Sequence, residues 1–223
     1  MTDVSPRPVN ARRSSEPLPA LYPIIDVDLC GMRGLDPLVV AKACLDGGAR
    51  LLQVRRKGSA GGTGALLTLT RDIVDAARGY DARVIVNDRP DIAMMAAAHG
   101  VHVGQQDLPA ATARTLLGAG RLIGVSTHTP EQVDEALAGP ADYVAVGPVF
   151  GTTTKDTGYT ARGLELVRQA SGRGKPVVAI GGITLATAPG ILAAGAASVA
   201  VISDLLEGGQ VAARVREYLR AQG

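Results

Sequence analysis

The sequence predicts one α/β domain, a single (β/α)8 TIM barrel behind a short leader. Two observations carry that expectation. From Leu21 onward, eight short aliphatic runs alternate with longer segments rich in Ala and Leu. Each run is apolar almost throughout, as parallel strands buried on both faces must be. Nor does any break in composition divide the 223-residue chain. A compact barrel fits that length after a leader. The competing doubly wound sheet lacks its usual G-x-G-x-x-G turn after the first run.

The leader comes first. Residues 1–20, MTDVSPRPVNARRSSEPLPA, are rich in Pro, Ser and Arg and show no periodicity, so they are expected to be flexible. Residues 21–223 form the catalytic domain. The predicted strands are LYPII (21–25), RLLQV (50–54), RVIV (83–86), GVHV (100–103), RLIGV (121–125), DYVAV (142–146), PVVAI (176–180) and SVAVI (198–202). The predicted helices between and after them cover 37–46, 66–78, 91–98, 110–117, 130–138, 163–170, 185–194 and 210–221. Thr129-Pro130 reads as an N-cap followed by a first-turn proline. Pro189 falls inside the span 185–194 and is expected to kink or shorten that helix.

Composition removes several classes of function. One Phe and no Trp leave no aromatic platform for single-stranded nucleic acid. A net charge of +2 without a long basic run supplies no field for duplex or membrane binding. Cys30 and Cys44 have neither a metal-ligand spacing nor a secretory context, and read as reduced thiols. No segment has the length of a membrane span, so a cytoplasmic protein is expected. Assembly into a homo-oligomer is left open.

In a barrel of this kind, chemistry belongs to the C-terminal ends of the strands and the loops after them. The second run exits through QVRRK, and alternation puts Gln53, Arg55 and Lys57 on one side. Polar groups facing a barrel mouth need water or an anion; the plain alternative is a charged strand exit in solvent. The third and fourth runs end in Asn87-Asp88-Arg89 and in GQQD at Asp107. Two carboxylates from neighbouring strand ends can hold Mg²⁺, which takes few protein ligands alongside waters and phosphate oxygens. Each aspartate taken alone reads as a helix cap. Ser126 ends the fifth run facing the mouth. His128 reads first as a locally bonded loop histidine and second as a proton carrier; His99 and His102 are given no role.

The sixth run leads into GPVFGTTTKDTGY, with Thr152, Thr153, Thr154 and Lys155. The seventh and eighth lead to Gly181-Gly182 and to Ser203-Asp204. Loops after the seventh and eighth strands of such barrels often bind phosphate near a short helix. The threonine loop therefore reads as part of a phosphate cradle. Two anion-handling regions result, one cationic with a metal and one made of glycines and hydroxyls. They suit transfer between two phosphorylated small molecules.

These segments, in this order, resemble the thiamine phosphate synthase family. The resemblance rests on QVRRK (53–57), VNDRPDIA (86–93), GVHVGQQDLP (100–109), GVSTHT (124–129), YVAVGPVFGTTTK (143–155), AIGGIT (179–184) and VAVIS (199–203). It implies joining of a hydroxymethylpyrimidine diphosphate to a thiazole phosphate with release of pyrophosphate. It further implies that Gln53, Arg55, Lys57, Asn87, Ser126 and Lys155 bind the diphosphate substrate. Arg55, Lys57, Lys155 and Ser126 would be catalytic, and Asp88 and Asp107 would hold Mg²⁺. Thr152, Thr154, Gly182, Ile202 and Ser203 would hold the thiazole phosphate. Val54, Arg56 and Thr153 enter the substrate-binding set as their neighbours, although Arg56 should point away from the mouth. Gly151 and Asp204 depart from the family's usual pattern, and an inward-facing Asp204 would oppose phosphate. The alternatives are a thiazole tautomerase using His128, a non-catalytic phosphate-ligand-binding barrel, and a Schiff-base aldolase using Lys57 or Lys155.

Overall fold

The computed structural model describes residues 17–58, 61–151 and 160–221. Eight parallel strands close into a barrel in sequence order: β1 (Leu21–Asp26), β2 (Leu51–Arg55), β3 (Arg83–Asn87), β4 (Gly100–Val103), β5 (Leu122–Thr127), β6 (Tyr143–Val146), β7 (Val177–Ile180) and β8 (Ser198–Val201). The helices are α1 (Val27–Met32), α2 (Pro37–Gly47), α3 (Gly62–Arg78), α4 (Pro90–Met95), α5 (Ala110–Leu117), α6 (Pro130–Ala138), α7 (Gly163–Ala170), α8 (Ala188–Ala193) and α9 (Val211–Arg220).

The strand residues divide by parity between two buried layers, because successive side chains point to opposite faces. One layer includes Leu52, Val54, Val84, Val86, Val101, Ile123, Val125 and Val144, packed between the strands and the helices. The other fills the barrel itself with Tyr22, Ile24, Leu51, Ile85, Leu122, Tyr143, Ala145, Val178 and Ala200. Gly124 has a specific reason to be glycine. It pairs with His102 on one side and Tyr143 on the other, and a Cβ there would lie 2.1 Å from the Tyr143 ring. The gap admits the ring into the barrel.

The floor is closed by the end of the predicted leader. The Arg83 guanidinium donates to the Pro17 carbonyl at 2.8 Å, Leu18 packs under the inner layer, and Val199 donates to the Ala20 carbonyl. Residues 1–16, which carry most of the leader expectation, lie outside the described residues.

Helix α1 was not expected, whereas a short helix starting near Ser203 was. Asp26 accepts from the Leu29 amide at 2.9 Å and so starts α1 directly off the first strand. A 3₁₀ segment, Ser203–Gly209, follows β8 and is kinked at Glu207 and Gly208. Pro189 sits in the first turn of α8, so the helix starts there and is shortened. Thr129 caps α6 by accepting from the Gln132 amide at 3.3 Å. Cys30 and Cys44 are buried and free, and burial pushes their thiols up to about 11 and about 12. Among the described residues, no helix is long and apolar enough to cross a membrane.

Candidate active site

The ends of β1 to β4 form a compact ionic layer. Arg55, at the end of β2, pairs with the Asp26 carboxylate at the end of β1, and both side chains are buried. Asp28 accepts from the Lys57 and Gly58 amides at 2.8 and 2.9 Å, fixing the chain as it leaves β2. Burial acts to raise the Asp28 carboxyl, but those two amides, with Arg55 and Arg56 nearby, hold it below the usual carboxylate range. Lys57 donates to Asp88, which also accepts from the Asn87 amide group at 2.6 Å.

Asp88 carries positive φ, 60°, an uncommon backbone state that Asp tolerates better than most residues. Burial pushes its carboxyl above the usual range; Lys57 pulls it back, and the adjoining Asp107 carboxyl pushes it up again. The helix-cap alternative fails for both aspartates. The N-cap of α4 is Arg89 and that of α5 is Pro109, neither with a side-chain cap bond. Asp107 instead turns back to accept from the Gly104 amide at 2.8 Å.

The opposite side of the mouth is less charged. A cavity of about 570 Å³ is lined by Ser126, His128, Gly182, Ile202, Ser203 and Glu207, among others. A second, of about 500 Å³, contains Asp26, Arg33, Arg55, Lys57, Ser203 and Glu207. Ser203 and Glu207 line both, so the cavities adjoin. Arg33, at the end of α1, reaches across to Glu207 at 2.9 Å. A Cβ at Gly182, where φ is +63°, would come within 2.4 Å of the Gly151 carbonyl oxygen. Together with the bonds from the Val149 and Phe150 amides to the Ile180 and Gly181 carbonyls, this packs the sixth and seventh strand exits against each other.

Beneath the mouth runs a buried line of side-chain hydrogen bonds that the sequence reading did not assemble. Gln53 donates to the Tyr22 oxygen at 3.0 Å, and the Tyr22 and Tyr143 hydroxyls are 3.1 Å apart. Tyr143 lies 3.1 Å from His102 Nδ1, and His102 Nε2 lies 2.8 Å from Ser126 Oγ. The missed signal was strand parity. His102 is two residues above Gly100 on β4 and points inward, as Gln53 does on β2. Asp26 was missed because the apolar run was stopped one residue short of it.

The structure brings Gln53, Arg55, Lys57, Asn87, Asp88, Asp107 and Ser126 to one end of the barrel, with Gly182, Ile202 and Ser203 across from them. Val54 and Arg56 are different. Val54 is buried against the helices, and the Arg56 guanidinium donates to the Gly62 carbonyl; neither side chain faces the mouth. Thr152, Thr153, Thr154 and Lys155 lie outside the described residues. Asp204 is held by Arg214 through two bonds of 3.0 and 3.1 Å and by the Tyr218 hydroxyl at 2.6 Å. That carboxylate is engaged by α9, and Asp204 also lines the 570 Å³ cavity beside Ser203. His128 is buried and lines the 570 Å³ cavity, with Nδ1 2.6 Å from the Gly147 carbonyl oxygen just past β6.

Comparison with known proteins gives the family. A profile of the family described as thiamine monophosphate synthase matches residues 21–205. A thiamine-phosphate synthase from Anaeromyxobacter dehalogenans is 44% identical over 204 residues, covering 91% of this chain and 87% of that one. One from Moorella thermoacetica is 41% identical over 208 residues, covering 91% and 97%. Among solved structures, thiamine phosphate pyrophosphorylase from Pyrococcus furiosus superposes with a TM-score of 0.80 at 30% identity, covering 91% of this chain and 95% of that one. The matched region takes in all eight strands and the polar end of the barrel, and the chain belongs to the thiamine monophosphate synthase family.

Proposed function

We propose that this chain condenses 4-amino-2-methyl-5-hydroxymethylpyrimidine diphosphate with thiazole phosphate, giving thiamine phosphate and pyrophosphate, and that it does so with Mg²⁺. The observation that carries the reading is the ionic layer of Asp26, Arg55, Lys57, Asp88 and Asp107, opening beside a cavity in which, on this reading, Ser126 faces the pyrimidine while Gly182, Ile202 and Ser203 face the thiazole phosphate. Asp88 and Asp107 fit a hard cation. Two carboxyls crowded together raise each other's proton affinity unless a positive charge lies between them, and Mg²⁺ commonly takes one or two protein carboxylates with phosphate oxygens. When bound, Mg²⁺ supplies positive charge against diphosphate oxygens.

The chemistry asks little of a general base. The bond between the pyrimidine CH₂ and the bridging oxygen breaks, and its electron pair leaves with the diphosphate. The resulting cation is stabilised by the ring, and the thiazole nitrogen donates its lone pair to form the new C–N bond. The chain's task is to bind and orient both substrates, exclude water, and hold positive charge where the leaving group becomes more negative. Arg55, fixed by Asp26, and Lys57, shared with Asp88, meet the diphosphate. The family resemblance implies Lys155 for the same anion. Ser126 contacts the pyrimidine side, and Gly182, Ile202 and Ser203 face the thiazole phosphate with Thr152 and Thr154.

The reading extends to a cytoplasmic setting, supported by two buried free thiols that suit a reducing compartment. The tautomerase alternative has little support, because the family profile and the relatives that match the chain are named for thiamine-phosphate synthesis. Purified protein incubated with both substrates, with and without Mg²⁺, tests the reading by mass analysis of the products. Thiamine phosphate and pyrophosphate formed only with Mg²⁺ are expected. Isomerised thiazole phosphate alone, or synthesis indifferent to chelation, would overturn the corresponding part.

A further inference from the structure

The buried line from Gln53 to Ser126 has a direction. Its hydroxyls and imidazole are all nearly or fully shielded from solvent, so each proton needs an acceptor within the line. Gln53 already donates its Nε2 proton to the Tyr22 oxygen. Among the described residues, the only other partner of the Tyr22 hydroxyl is Tyr143. The Tyr22 proton must therefore point to the Tyr143 oxygen. Tyr143 then donates to His102 Nδ1, which makes Nδ1 the acceptor and places the imidazole proton on Nε2. That proton points to Ser126 Oγ at 2.8 Å. Running the line backwards would leave the Tyr22 hydroxyl proton without an acceptor. That is costly for a group in the barrel interior.

The consequence falls on Ser126. Its oxygen accepts from His102, and its side chain has no other partner among the described residues. Its own proton is therefore left for whatever occupies the 570 Å³ cavity that it lines. We propose that His102, oriented by Tyr143 and Tyr22, is a positioning residue that fixes Ser126 as a hydrogen-bond donor to the substrate. The glycine at 124 is part of the device, since only its missing Cβ lets the Tyr143 ring reach beside His102. The two rings stack with centroids 5.6 Å apart and planes 27° from parallel, which further limits rotation of the imidazole. The inference rests on the synthase reading for its activity tests and is independent of it for the tautomer.

Two measurements test it. Nitrogen NMR of the ligand-free protein, labelled at histidine, should find His102 protonated on Nε2 and bare on Nδ1. Protonation on Nδ1 overturns the direction, whatever the protein catalyses. The second is a cycle on synthase activity. His102→Leu should lower kcat on the order of ten- to a hundredfold, the scale of a misplaced contact, with the KM for thiazole phosphate unchanged. His102→Gln, whose amide can still donate, should recover much of the loss. In a Ser126→Ala background, His102→Leu should cost less than about twofold, because groups acting as one unit do not add. An undiminished loss in that background overturns the proposal. Tyr143→Phe keeps the ring and packing, so it serves if His102→Leu folds poorly; it should lower kcat and disturb the His102 nitrogen shifts, and silence in both would count against the relay. An inactive wild-type protein would defeat the synthase reading and leave the tautomer result to decide this one.

Discussion

The two sides of the barrel mouth are built by different means. On the side of β1 to β4, the geometry is held by side-chain charges: Asp26 on Arg55, Asp28 on the backbone after β2, and Lys57 on Asp88. On the side of β6 to β8, it is held by backbone: glycines at positive φ and carbonyl-to-amide bonds between strand exits. The first side can exchange one anion for another without moving the chain, because its cations already have carboxylate partners to release. The second can shape a cradle only by where its main chain runs. One half recognises charge, and the other recognises form.

Breaking the charged half should have the largest effect. Asp88→Asn and Asp107→Asn should each lower pyrophosphate release on the order of a hundred- to a thousandfold, in the range seen when one preorganised charge-stabilising group is lost. The thermal melt should hardly move, since neither aspartate caps a helix and Asp88 is a crowded, partly buried carboxyl. Full turnover in either variant would return it to a structural role.

Next comes Asp26→Asn, which keeps an acceptor for the Leu29 amide but leaves the buried Arg55 without its counter-charge. A loss of about 3 kcal/mol is expected from breaking a buried pair on one side. Added pyrophosphate should restore part of the melting temperature by supplying the missing anion. A melt that ignores pyrophosphate would mean Arg55 does not meet the diphosphate. Arg55→Ala is the poorer test, because it would strand the Asp26 carboxylate in the interior.

Gly182→Ala probes the other half. A side chain at φ +63° facing the Gly151 carbonyl should cost about 2 kcal/mol. It should also raise the KM for thiazole phosphate more than that for the diphosphate. Equal rises would erase the distinction between the halves. The smallest effect is expected from Glu207→Gln, which breaks an exposed pair with Arg33 joining the two sides. Such pairs contribute about 1 kcal/mol or less, so the melt should shift by no more than a few degrees.

The same contrast explains what the sequence made legible. Barrel order, strand number and most helices followed from apolar runs, because strands buried on both faces leave an unambiguous pattern. Arg55, Lys57, Asp88 and Asp107 could be placed at the barrel mouth because each is a polar residue shortly after an apolar run. Helix α1 was hidden, since six residues give no period to read and its cap, Asp26, lies one residue past the predicted run. His102 was hidden for another reason. Strand parity in GVHV aims the histidine inward, but its neighbours Gly124 and Tyr143 meet it only when the barrel closes. The packing role of Gly182 was equally unreadable, because it depends on the exit of a different strand.

Aromatic side chains are scarce in this chain: five tyrosines, one phenylalanine and no tryptophan. Tyr22 and Tyr143 stand edge to face inside the barrel, with centroids 6.1 Å apart, directly below Ser126. Near-ultraviolet absorption and emission therefore come from tyrosine, and two of the five chromophores share a hydrogen-bonded line with the cavity wall. The molecule carries a built-in optical probe: a ligand that engages Ser126 should alter tyrosine emission without any label being attached.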